Sequence, residues 1–348
     1  MKCIRVGHGH VATWHDQKLK EEGVTTIGVM DSNEKKRKLV LASGLQAFSS
    51  YEEAFRLKPD FWDICVSTDS HLDALTAIIS LDLNANIIVE KPICSFSQIN
   101  MLKNLLENFQ GKIVVNENYV FSNITKTVKE LSALLNLKPT RIISEMTKNR
   151  ISDIRKGRFL DLELFAFGYE GSHMIINVLE LGEEYFPGEI KSIDYDDMYV
   201  DMPNGKTCLP KQGMVEKRYI AKSGAEVILY TSMIGDIKYY YPGPFPFFDK
   251  IVTEDNSMRY RILAVEDNKK CTAVVGFYEP VLGLKRGEGA VVVFDKGDIK
   301  EYIEPIYDDT MGSSLKNAID CFLGKRDNPH TVAMAIKVVE LSHFLASK

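Results

Sequence analysis

The chain has 348 residues, more than a single hydrophobic core usually serves, so two domains are expected. Its 45% hydrophobic and 26% charged content is ordinary for a globular protein, and a formal net charge of −5 argues against nucleic acid as the main partner. The opening MKCIRVGHGH lacks the apolar core of a secretory signal, and no apolar run reaches the ~20 residues that cross a bilayer, so no membrane partner is expected.

In chain order, KCIRVG reads as a strand and HVATWHDQKLKEEG as an amphipathic helix stopped by Gly23. TTIGVMD is a second strand, and EKKRKLVLAS a helix closed by Gly44. SSYEEAFRL opens on a serine cap as a short helix. FWDICVST, NIIVEKP and KIVVNENYV are further strands, separated by the helices SHLDALTAIISLDL and SFSQINMLKNLLENFQG. Strands alternating with helices imply βαβ units, and near-continuous apolar strands imply a parallel sheet covered on both faces. After about residue 122 the rhythm changes. The helices NITKTVKELSALLN and GSHMIINVLELG flank the strand TRIISEMTKN. The strand-like runs KSIDYDDMYV, EKRYIAKS, AEVILYTSMIG, MRYRILAVED, CTAVVGFYEP, GAVVVFDKG and IKEYIEP then follow in series, and two helices end the chain. The fold class expected is α/β: a doubly wound parallel sheet over residues 1–122, then an α+β domain over 123–348 with an open, mostly antiparallel sheet and C-terminal helices at about 312–348.

The first strand runs into Gly7-His8-Gly9-His10-Val11-Ala12, a G-x-G-x-x-A turn that follows a strand and opens a helix. Gly7 allows the tight turn, Gly9 lets backbone approach a pyrophosphate, and Ala12 lets helix pack closely on strand. Phosphates bind where free N–H groups and the helix dipole favour negative charge. Asp31, about twenty residues on, stands where a carboxylate bonds an adenosine ribose hydroxyl. NAD is therefore expected. NADP stays open because Ser32, Lys35, Lys36, Arg37 and Lys38 follow, although these cations also suit a solvated helix face. His8, His10 and His15 lack nearby cysteines or carboxylates at ligand spacing, so no metal site is expected. The six cysteines form no CxxC pair, which suits a reduced, cytoplasmic protein, with Cys3, Cys65 and Cys94 in the core.

Ile87, Ile88 and Val89 form a buried strand that ends on Glu90-Lys91-Pro92. In an open α/β sheet the residue after such a strand faces the ligand crevice, so Lys91 is aimed at the nicotinamide end of a cofactor. There a lysine can bond a substrate hydroxyl, lower its pKa or relay its proton.

VGHGHVA, VMDSNEKK, DICVSTDSHLDAL, IIVEKP and VVNENYVFS occur in an order and spacing that resemble the Gfo/Idh/MocA family of glucose–fructose oxidoreductases and inositol dehydrogenases. The resemblance is strong to residue 122 and looser beyond. It implies a Rossmann domain followed by a sheet domain that often makes the oligomer interface, hence a homodimer or homotetramer. It also implies interconversion of a secondary alcohol and a ketone on sugars, their derivatives or cyclic polyols. By it Lys91 is the active-site lysine and Glu90 shapes the nicotinamide pocket. Ser67, Thr68 and His71 lie beside the adenosine and ribose, with Asp69 where the family usually has proline. Asn118 sits near the nicotinamide ribose, with Val120 where arginine is common. In Phe167–Asn177 the family's D-x-G-x-H reads Tyr169-Glu170-Gly171-Ser172-His173, so Gly171 and His173 match and the acid moves one place. On a helix Glu170 shares a face with His173, and an acid there raises an imidazole pKa; Tyr169, at i−4, offers a phenol instead.

The expected chemistry has hydride leaving to NAD while His173 and Lys91 meet the same hydroxyl, His173 taking its proton and Lys91 holding its oxygen, with either of the two open as the formal base. Further substrate contacts are expected from Tyr119, Lys148 and Arg150, with Arg155 and Arg158 in the same basic run, which can hold a carboxylate or phosphate or be solvated. IKYYYPGPFPFFDK suits sugar stacking, a sheet edge or, preferably, a subunit interface. Two other readings are a silent dinucleotide-binding regulator and a redox-neutral glycosidase or lyase that oxidises and re-reduces its substrate on bound NAD.

Overall fold

The computed structural model describes residues 1–158, 160–202, 205–241, 252–253, 258–278 and 285–346. The chain forms two compact units, Met1–Asn118 with Met311–Glu340, and Tyr119–Thr310 with Leu341–Lys348.

In the first unit, β1 (Lys2–Val6), α1 (His10–Glu21), β2 (Thr25–Met30), α2 (Glu34–Ala42), β3 (Gln46–Phe48), α3 (Tyr51–Phe55), β4 (Phe61–Ile64), α4 (His71–Leu81), β5 (Asn86–Glu90), α5 (Ile99–Leu106) and β6 (Lys112–Asn116) alternate. All six strands pair in parallel, in the order β3-β2-β1-β4-β5-β6. The chain runs outward in both directions from β1, so the C-terminal ends of β1 and β4 flank the crevice where such sheets bind ligands. Ile87, Ile88 and Val89 are fully buried, as a strand covered on both faces requires. Side-chain caps set the helix starts: Asn33 accepts from Lys35 N at 2.9 Å, and Ser50 from Glu53 N at 3.2 Å.

The second unit contains α6 (Asn123–Leu134), β7 (Arg141–Thr147), α7 (Ile151–Arg155), α8 (Phe167–Leu181), β8 (Pro187–Met202), β9 (Gly205–Ala221), β10 (Glu226–Ser232), β11 (Tyr260–Asp267), β12 (Thr272–Phe277), β13 (Glu288–Asp295) and β14 (Asp298–Tyr307). Its eight-stranded sheet runs β14-β13-β12-β11-β7-β10-β9-β8, antiparallel apart from the β7–β10 pair. Helices α6 and α8 pack on this sheet. A second apolar cluster includes Ile143, Tyr260, Ile262, Phe277 and Val292, with Tyr239, Tyr240 and Tyr241 against it. Tyr260 Oη donates to Tyr239 O at 2.6 Å and accepts from Tyr241 N at 2.8 Å. The start of the aromatic run IKYYY thus packs on its own sheet; residues 242–250, the rest of the segment expected at a subunit interface, lie outside the described residues.

Helices α9 (Thr310–Phe322) and α10 (Val332–Ala346) complete the chain. They were expected in the second domain, but Met311–Glu340 belongs to the first unit. Leu315, Ala318, Ile319 and Cys321 join Cys3, Leu19, Phe61 and Ile88 in one core, and Ala335, Ile336 and Val339 join the core around Ile87 and Val89. The N-terminal sheet has apolar surface that its own five helices leave to the last two, which is why the boundary is not a single cut near residue 122. Among the described residues no helix is long and apolar enough to cross a membrane.

Candidate active site

Gly7 adopts φ +94°, and a Cβ there would stand 2.9 Å from Cys65 O. Glycine is required on both counts. Gly9 caps α1, and a Cβ on it would meet nothing within 4 Å, so the space over the turn is open to an approaching phosphate. No acidic residue occupies the first turn of α1, which leaves its N-terminal dipole uncompensated, and Ala12 is fully buried against the sheet. His8 is half-buried, while His10 and Val11 are exposed at the helix start. Asp31 ends β2 as a buried carboxylate that accepts from His8 N at 2.9 Å and Asn33 N at 2.8 Å, with Lys36 Nζ 3.8 Å away. Arg37 donates to the carbonyls of Asp31 and Ser32 at 2.8 Å, and Lys38 pairs with Glu34 at 2.8 Å. Two of the cations that kept NADP open are thus occupied by their own helix and loop.

Ser67 and Thr68 lie in the loop after β4, Ser67 exposed. His71 is buried, with Nδ1 2.8 Å from Pro92 O and Nε2 3.2 Å from Val66 O. Burial lowers its pKa against those backbone contacts, so the ring is neutral and donates one N–H. Its place among the expected cofactor contacts becomes a bracing one, tying the loop after β4 to the turn after β5. Asn118 follows β6 in a short 3₁₀ turn.

Lys91 stands directly after β5, and its peptide bond to Pro92 is cis. The preceding Glu90 is fixed from beneath. His15, fully buried on α1, has Nε2 2.8 Å from Glu90 Oε1 and Nδ1 2.8 Å from Asp63 Oδ1. Asn116 Nδ2, from the end of β6, donates to the same Glu90 oxygen. Asp63 in turn lies 3.6 Å from Arg5 Nε, and Arg5 also bonds Asp16 and Thr26. A neutral imidazole donates from one nitrogen only, so two carboxylates on one ring call for the imidazolium. Burial alone works to lower the His15 pKa, but the Asp63 charge and its hydrogen bond outweigh it and raise the pKa well above its ordinary value. Burial would likewise raise Glu90 and Asp63, yet the His15 charge and hydrogen bonds hold both below the usual carboxylate range. Cys65 joins the cluster 3.4 Å from His15 Nδ1, and burial followed by the Asp63 charge pushes its thiol up to about 12. His15, Asp63 and Cys65 offer ligand atoms within 4.8 Å of one another, but the thiol is protonated and both ring nitrogens serve carboxylates. His15 has no cysteine or carboxylate at ligand spacing along the chain, but the fold brings Asp63, Glu90 and Cys65 to its ring. A signal was present: Ala12, His15 and Leu19 share one helix face, and Asp63 interrupts the apolar strand FWDI.

In the second unit, His173 is half-buried on α8, its ring centroid 4.7 Å from that of Tyr119. Tyr119 is held in turn, since its hydroxyl accepts from Arg261 Nη1 at 2.7 Å and its ring meets Tyr278 edge-on at 5.3 Å. Glu170, expected beside His173, is buried with both oxygens taken up by guanidinium donors: Arg261 Nη2 at 2.8 and 2.9 Å, and Arg150 Nη2 on one of the same oxygens. Tyr169 is buried, its hydroxyl accepts from Asp161 N at 3.2 Å, and the Arg158 guanidinium lies 5.3 Å from its ring centre. Lys148, at the end of β7, has its pKa pushed down to about 8 by burial and then by Arg150. Arg261 escaped sequence reasoning because it sits at the start of a strand, far along the chain from α8.

Residues 1–117 match the family described as oxidoreductase family, NAD-binding Rossmann fold (GFO_IDH_MocA). No curated protein matches the chain. Among solved structures, a dehydrogenase (MviM) from Clostridium difficile is 14% identical, with a TM-score of 0.68 over 100% of this chain and 99% of that one. UDP-N-acetylglucosamine 3-dehydrogenase GnnA from Acidithiobacillus ferrooxidans is 14% identical, with a TM-score of 0.68 over 100% and 97%. An oxidoreductase from Agrobacterium radiobacter, solved with NAD+, L-tartaric acid and magnesium, is 16% identical, with a TM-score of 0.66 over 98% and 94%. At such identities the structural likeness speaks to the fold alone. Residues 1–117, with their open glycine turn and Asp31, match the NAD-binding Rossmann domain of the Gfo/Idh/MocA oxidoreductases, and NAD is the cofactor that domain takes.

Proposed function

We propose that this protein is an NAD-dependent dehydrogenase that interconverts a secondary alcohol and a ketone on a sugar, a sugar derivative or a cyclitol. One observation carries the reading: Lys91 follows β5 at the same end of the sheet as the glycine turn and Asp31, and the residue before it is clamped by His15 and Asn116. NAD, when bound, accepts or returns the hydride. Lys91 donates a hydrogen bond to the reacting oxygen and stabilises charge developing on it. His173, its ring set by Tyr119, takes the hydroxyl proton in oxidation and gives it back in reduction. Glu90 and Asn118 line the nicotinamide end, while Ser67, Thr68 and Asp31 serve the adenosine end. Asp31 selects NAD because a 2′-phosphate would meet its carboxylate.

The test is absorbance at the NADH band across neutral sugars, sugar acids, sugar phosphates, amino sugars and inositols, each with NAD and with NADP. NADH formation with at least one of them is expected, with NAD favoured roughly tenfold or more in kcat/KM, about the cost of one misplaced charge. Tight NADH binding without turnover of any polyol would sink the dehydrogenase reading and favour a regulator. Product formed without net NADH would favour the redox-neutral chemistry.

A further inference from the structure

We propose that the substrate carries an anionic group, a carboxylate or a phosphate, which the second unit binds beside His173 through Lys148 and Arg158. This rests on the dehydrogenase reading for the role of His173 and names the substrate class for that site. Five cations gather around the start of α8 from three parts of the chain: Lys148 and Arg150 after β7, Arg158 after α7, and Arg259 and Arg261 at the start of β11. Among the described residues, Lys148, Arg150, Arg158 and Arg261 pair with two carboxylates, Glu170 and Asp153. Glu170 is fully engaged by Arg150 and Arg261 and holds them in place. That leaves Asp153 as the shared counter-ion for Lys148 at 3.5 Å, Arg150 at 3.5 Å and Arg158 at 3.9 Å. All three distances exceed those of a well-formed charged hydrogen bond, so one half-buried carboxylate holds three cations loosely. At Lys148 burial first, and then the charges of Arg150 and Arg259, push the pKa down to about 8 against the pull of Asp153. An incoming carboxylate or phosphate would join Asp153 as a counter-ion to these cations, with Arg158 offering a planar fork and Lys148 a point charge. The group is tied to the reacting end within the same unit: Arg261 joins Glu170 to Tyr119, and Tyr119 packs on His173.

The experiment uses the full chain saturated with NADH and compares matched pairs: glucuronate with glucose, and inositol 1-phosphate with inositol. Binding is followed by calorimetry at two salt concentrations, and turnover with NAD by absorbance. The acidic partner of at least one pair is expected to bind roughly tenfold or more tightly, with an advantage that shrinks at high salt. Lys148→Gln and Arg158→Gln should each remove most of that advantage, raising KM for the acid roughly tenfold with little change in kcat. Which pair responds separates a carboxylate from a phosphate. Equal binding within both pairs, or an advantage that both variants retain, overturns the anionic substrate. Neutral polyols turning over as well as their acidic partners would overturn it while leaving the dehydrogenase reading intact. Selective acid binding with no turnover of any compound would uphold the anion site and defeat the dehydrogenase reading.

Discussion

Turnover is expected to fall about 10²- to 10⁴-fold when Lys91 is replaced by alanine, with NAD affinity unchanged. The size follows from the role proposed for it: a donor whose hydrogen bond strengthens as charge develops on the reacting oxygen contributes to the transition state and little to cofactor binding. His173→Ala should lose a similar factor, and the Lys91→Ala/His173→Ala double variant should be only slightly worse than either single one, because partners in one proton transfer do not add. Single-turnover rates with NAD and the best substrate from the screen, beside NADH fluorescence titrations, separate these effects. A single variant that retains its rate removes that residue from the chemistry, and fully additive losses remove the partnership.

His15→Leu should cost the first unit about 3–5 kcal/mol, because the cation between the buried Asp63 and the part-buried Glu90 is lost while the acids remain. The pH dependence identifies the cause. The folded-state pKa of His15 is raised, so its contribution is complete below the ordinary value of 6.5 and is lost as pH rises through the folded value. Glu90 and Asp63 are lowered, so theirs is complete above the ordinary values of 4.5 and 3.8 and is lost as pH falls through the folded values. Wild type should therefore exceed the variant by most between about pH 4.5 and 6.5, with the gap narrowing on either side. Urea denaturation across pH 4 to 9 measures it. A gap that stays flat over that range would mean the ring acts by filling space and not by its charge.

Much of this architecture is legible along the chain because its signals are local. The glycine turn, the acid that ends β2 and the lysine after β5 each depend on a few consecutive residues, and alternating apolar runs and helices announce a parallel sheet. The Glu90–His15–Asp63 cluster is not local. Its members lie 48 and 75 positions apart, and helical spacing on α1 shows that His15 points inward but not what it meets. Glu170 shows a second limit. Helical spacing gives it a shared face with His173, but that i, i+3 geometry cannot foresee the two guanidiniums, from β11 and the loop after β7, that bond its carboxylate. β9 was read as a shorter strand because its first part, from Gly205 to Lys211, is polar and mostly exposed and carries no buried face by which period two could be recognised, whereas β8 alternates around the buried Met198 and Val200. Short pieces such as β3 and α7 are too brief for any periodicity to register.

The return of α9 and α10 to the first unit bears on the order in which the protein is made. A ribosome delivers β1 through β6 first, yet the apolar row of Cys3, Leu19, Val24, Phe61, Ile88 and Val114 gains its covering helix only when Leu315, Ala318 and Ile319 emerge. The dinucleotide-binding half therefore matures last, after the sheet domain inserted within it has been synthesised. An excised fragment of residues 1–122 should aggregate where the same fragment joined to 311–340 remains monomeric, a comparison that size-exclusion chromatography decides.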